Sequence, residues 1–145
     1  MNNSNQQYVI PARIQEEWHE ILQAIQDMDQ FWSEVDQLGR GPKWEELETR
    51  MCELRRLLVE HYQSEEQNLR QLEKTNRTAL LQRIRQLREQ NSEILQRLSA
   101  DIALLSSQDR HLRCWGDVHS EINTLGERLK AYESTEQNIM VKSEE

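Results

Sequence analysis

Apolar residues recur along this chain at alternating steps of three and four, the spacing of an amphipathic helix. The first stripe runs Ile14, Trp18, Ile21, Ile25, Met28, Trp32 and Val35. Pro11 opens it, Gly39 is placed to end it, and Gly41-Pro42 supplies a turn and a first-turn proline for the next helix. A second helix, from about Pro42 to Leu72, carries Trp44, Leu47, Met51, Leu54, Leu58, His61, Glu65, Asn68 or Leu69, and Leu72. Lys74-Thr75-Asn76 offers capping side chains for a third, striped by Leu80, Ile84, Leu87, Asn91, Ile94, Leu98, Ile102 and Leu105. The last junction has two helix-end signals, Ser106-Ser107-Gln108-Asp109 and Gly116-Asp117, and is centred near His111. The fourth stripe then reads Trp115, Val118, Ile122, Leu125, Leu129, Tyr132, Glu136, and Ile139 or Met140. Short connections between four such helices predict an all-α, antiparallel up-down-up-down four-helix bundle over residues 12–141. An N-terminal arm, 1–11, and a tail, 142–145, flank it.

Polar residues interrupt the stripes. His61 and Glu65 stand where leucine is expected, Asn91 does the same on the third helix, and Tyr132 and Glu136 repeat the four-residue spacing on the fourth. In an antiparallel bundle, heights can be compared by counting from each turn. His19 and His61 are equidistant from a turn near Arg40, and Asn91 falls within about 3 Å of that level at about 1.5 Å rise per residue. Tyr132 mirrors Asn91 across the junction near His111. With His19 facing inward from the edge of its stripe, one layer is expected to hold His19, His61, Glu65, Glu136, Asn91 and Tyr132. Buried unpaired, such groups are costly; imidazoles with carboxylates suit iron, zinc or manganese.

Composition narrows the rest. With 36% hydrophobic and 30% charged residues in 145, the chain fits one domain of half-solvated helices better than a deeply buried fold. A net charge of −8 argues against nucleic-acid binding. The basic run Lys74, Arg77, Arg83, Arg85, Arg88 and Arg97 is read as a solvated face pairing with acidic neighbours. No apolar run reaches the roughly 20 residues of a membrane span, no signal core is visible, and the lone Cys52 and Cys114 read as reduced thiols. A cytoplasmic location is expected. Trp18, Trp32, Trp44 and Trp115 read as core fillers, and His111 and His119 as flank residues.

The segment Leu57-Leu58-Val59-Glu60-His61-Tyr62-Gln63-Ser64-Glu65-Glu66 resembles the H-x-x-x-E-E segment of the hemerythrin-like, or HHE cation-binding, family. Leu125 through Glu136 is similar to that family's final segment, with Tyr132 where histidine is expected. The resemblance implies a di-iron centre held by histidines from four helices and two bridging carboxylates. On it, His19 and His61 match the histidines of one iron, and Glu65 and Glu136 match the bridging carboxylates. The second iron's histidines are missing, at Asn91 and Tyr132. The resemblance therefore implies at most one metal and no two-iron oxygen carriage; Tyr132 would supply a phenolate or a hydrogen bond. The expected function is sensing or buffering of iron, oxygen or an oxidant.

The ferritin-like alternative needs Glu-x-x-His on two helices, and Glu16-Glu17-Trp18-His19 alone fits. No triad or phosphate loop marks an enzyme. The competing reading is a metal-free interaction module whose polar layer fixes helix register while an outer face, such as the arginine-bearing third helix, holds a protein partner.

Overall fold

In a computed structural model the protein is an all-α four-helix bundle, and the structure describes residues 12–39, 43–106 and 115–142. The helices are α1 (Ala12–Leu38), α2 (Trp44–Glu73), α3 (Thr78–Ser106) and α4 (Trp115–Lys142). The N-terminal arm, the Gly41-Pro42 turn, the junction centre near His111, and Cys114 lie outside the described residues.

Helix ends follow the local chemistry. Gly39 takes φ +63°, the left-handed conformation that glycine adopts without penalty, and its N–H donates to Asp36 O at 3.2 Å. After α2, the Thr75 hydroxyl and N–H both donate to Leu72 O, at 2.7 and 3.1 Å, and Asn76 turns the chain with φ 56°. Gly116 and Asp117, one of the two helix-end signals, lie instead inside the first turn of α4, where the Asp117 carboxylate suits the positive end of the helix.

Each helix packs on its sequence neighbour, and α1 closes the ring on α4. Trp18 meets His61 while Arg50 caps the Phe31 ring, so α1 and α2 run antiparallel. Glu66 meets Arg88 and Glu48 meets Ser106, which sets α3 antiparallel to α2; Trp18 with Glu136 and Trp32 with Trp115 do the same for α1 and α4. The core is continuous along the axis: Ile14, Ile21, Leu47, Leu54, Leu58, Leu87, Leu98 and Leu129 are all essentially inaccessible. Phe31, outside the predicted stripe, is buried, whereas Ile25 and Trp32 are half-buried at its edge. Trp18 is a core residue; Trp32, Trp44 and Trp115 are half-buried and form an aromatic stack with His119 at the opposite end.

Basic residues of α3 pair outward. Arg88 reaches Glu66 at 2.6 Å and Glu73 at 2.7 Å, and Arg97 pairs with Glu121. Among the described residues, no helix is long and apolar enough to cross a membrane.

Candidate metal centre

His61 and Glu65 lie one turn apart on the buried face of α2, and Glu136 reaches the same point from α4. Each is at most 1% exposed. The His61 Nε2 atom lies 3.2 Å from Glu136 Oε2 and 3.3 Å from Glu65 Oε2. Among the described residues, this is the group whose donor atoms converge closely enough to hold a metal ion.

A further set of contacts orients these three side chains. His61 Nδ1 lies 3.0 Å from Glu17 Oε1, and the other Glu17 oxygen accepts from the Ser64 hydroxyl at 3.0 Å. The Trp18 indole N–H donates to Glu136 Oε1 at 2.7 Å, and the Tyr132 hydroxyl donates to Glu65 Oε1. Each inner carboxylate is therefore held by one oxygen from outside while its Oε2 faces the imidazole. Burial pushes the Tyr132 hydroxyl well above its ordinary range, and neighbouring Tyr62 and Glu66 add to this. Tyr132 is thus a neutral donor to Glu65. Burial, followed by the Glu136 charge, raises Tyr62 as well, and its hydroxyl is buried with no hydrogen-bond partner among the described residues.

Charge balance is the unusual property of this layer. Glu17 sits at the edge, with Arg13 Nε 3.4 Å from Oε2. Glu65 and Glu136 share one imidazole, and Glu65 Oε2 has no hydrogen-bond partner among the described residues. If His61 is neutral and gives its Nδ1 proton to Glu17, its Nε2 lone pair faces two carboxylate oxygens. If it is charged, it offsets only one of the two. With both carboxylates ionised, either form leaves the inner point short of positive charge, which a bound cation or a proton on one carboxyl would supply.

Both imidazole-to-carboxylate separations suit a shared metal ion, and all three donor atoms lie within 4.8 Å of one another. Donor atoms bound at about 2.1 Å to one ion lie about 3.0 Å apart at right angles and about 3.4 Å apart at tetrahedral angles. The imidazole-to-carboxylate separations of 3.2 and 3.3 Å fall in that interval. A carboxylate on the far nitrogen of a ligating histidine, as Glu17 is on His61, is also the usual support of such a ligand.

Of the six residues expected in the layer, His61, Glu65, Glu136 and Tyr132 meet, the last as a hydrogen-bond donor. His19 does not join them: it is exposed on α1. At about 100° per residue, His19 lies on the side of Trp18 away from Ile14 and Ile21, whereas Glu17 lies on their side. Glu17 therefore takes the inward place assigned to His19, beside Trp18 on its predicted stripe. Asn91 is half-buried on α3 and does not belong to the converging group. The signal that reveals Glu17 is angular: it shares the flank of Ile21, which height alone does not register.

Comparisons with family models, curated proteins and solved structures returned no match for this chain. A four-helix architecture is common to many families and does not by itself identify the hemerythrin-like one.

Proposed function

We propose that this protein binds one divalent transition-metal ion through His61 Nε2, Glu65 Oε2 and Glu136 Oε2, with Glu17, Trp18 and Tyr132 orienting those ligands. The observation that carries this reading is the convergence of three buried donor atoms on one point, with Glu65 Oε2 accepting no hydrogen bond among the described residues. One imidazole and two carboxylates suit iron, manganese or zinc, and the hemerythrin-like resemblance favours iron. An ion held by three protein ligands keeps positions open for water or a small ligand. That supports buffering of the ion, or sensing of oxygen or an oxidant at it. The reading differs from the two-histidine half-site implied by the resemblance, because His19 supplies no ligand and one imidazole carries the nitrogen donation.

A second reading, a metal-free layer that fixes helix register in an interaction module, has its own support. Trp18, Tyr132 and Glu17 each hold one of the three inner side chains. Metal stoichiometry separates the two. Protein expressed with added iron and purified without chelator or histidine tag should carry about one ion per chain by mass spectrometry. The same protein with His61→Ala should carry none while keeping most of its helical circular dichroism. A metal-free wild type would favour the register layer, and about two ions per chain would require ligands beyond these three.

A further inference from the structure

The misplaced His19 stands over a feature of the α1–α4 seam. A cavity of about 240 Å³ opens there between the two helices. Its buried wall is Trp18 and Glu136; His19 and Gln137 are exposed at its rim, with half-buried Glu133 beside them. Glu136 therefore belongs both to this cleft and to the converging triad. Its two oxygens divide the work: Oε1 takes the Trp18 indole hydrogen bond at 2.7 Å, and Oε2 faces His61 at 3.2 Å. The Glu136 side chain thus stands between the cleft and the interior layer.

The rim has the charge and ligand chemistry that a cation would meet first. Glu16 and Glu20 flank His19 on the outer surface of α1, and Glu133 faces it across the cleft. Acidic side chains lining a cleft in a chain of net charge −8 concentrate cations and speed their capture. His19 adds an imidazole, the one ring-nitrogen ligand on this rim among the described residues.

Resting on the metal-binding reading above, we infer that the α1–α4 cleft is the loading route of the metal, with His19 and Glu133 as transient ligands at its mouth and Glu136 as the carboxylate that passes the ion inward. A transient ligand lowers the barrier to entry and exit alike. Its removal therefore slows both rates and leaves the equilibrium affinity unchanged.

The test is stopped-flow loading of the metal-free full chain with Co²⁺, read from the visible absorption of the bound ion, with release followed by chelator competition. His19→Ala and Glu133→Gln should each slow loading and release about tenfold, at unchanged affinity and stoichiometry. Gln137→Trp, which narrows the mouth of the cleft from an exposed position and leaves every ligand in the chain, should slow both as well. Wild-type rates in all three variants would overturn the route. Weakened affinity in His19→Ala would overturn it differently, by making His19 a resident ligand. If the wild type gives no Co²⁺ spectrum that His61→Ala abolishes, the metal reading itself falls, and the route with it.

Discussion

Two histidines in this bundle each face a carboxylate, and their surroundings give them opposite weight. His119 approaches Asp29 at 2.8 Å and stacks on Trp32, with ring centroids 3.9 Å apart, at the end of the bundle where its side chain keeps 32% exposure. His61 approaches Glu17 less closely, at 3.0 Å, but is fully buried and has two further carboxylates on its other nitrogen. At the His119 end, water screens the pair, and neither partner depends strongly on the other. Around His61 the screening is gone, so every uncompensated charge counts. Burial, not distance, separates a dispensable ion pair from a layer that constrains the fold.

The largest test of this contrast is to delete each imidazole. His61→Ala in metal-free protein should cost about 3 to 5 kcal/mol at neutral pH, since it leaves two buried carboxylates without their partner. His119→Ala should cost under about 1 kcal/mol. Urea denaturation measures both, and equal losses would break the comparison. Next in size is Tyr132→Phe, which removes the hydroxyl on Glu65 and little else; a loss of about 1 to 3 kcal/mol is expected. A neutral result would mean that Glu65 does not need that donor.

Glu65→Gln sharpens the comparison by sign. Removing one of two crowded buried charges should stabilise the metal-free protein by about 1 kcal/mol and abolish the melting-temperature rise expected of the wild type on adding metal. A variant less stable than wild type without metal would show that the layer is already charge-balanced.

The smallest effect belongs to the surface. The hydrogen bond from Arg88 holds the Glu73 carboxyl below its ordinary range. A depressed folded value adds stability above the unfolded pKa, and that contribution is lost as pH falls through the folded one. Arg88→Met should therefore lower stability by under about 1 kcal/mol at neutral pH, with the difference from wild type vanishing in acid. A difference that persists below the carboxylate range would assign the effect to packing of the arginine stem instead.

The helices were legible in the sequence because each is marked twice, by its stripe and by its ends. Gly39 sits where the punctuation predicts, and α1 begins one residue after Pro11, whereas α3 begins at Thr78, past the Lys74-Thr75-Asn76 segment, in which Thr75 bonds back to the end of α2. The polar layer was legible where a polar residue replaced leucine in phase, as at His61, Glu65, Tyr132 and Glu136. Axial height alone does not fix the place of His19: it shares the level of His61, but the angle around the helix leaves it exposed. Glu17, and the role of the core residue Trp18 as a donor to Glu136, are hidden from the sequence for the converse reason. A glutamate beside a tryptophan on an amphipathic helix resembles an ordinary boundary pair, and its partnership with His61 exists only once α1 and α2 are packed.

Trp18 also gives the molecule an optical asymmetry. Its ring lies 4.8 Å from the His61 ring, whereas Trp32, Trp44 and Trp115 gather at the other end of the bundle, about 20 Å away along the helices. A quencher bound at the triad would lie beside one indole and about 20 Å from the other three, so it should dim Trp18 most. The emission of this protein thus carries both a signal from the interior layer and, in the same spectrum, the reference against which to read it.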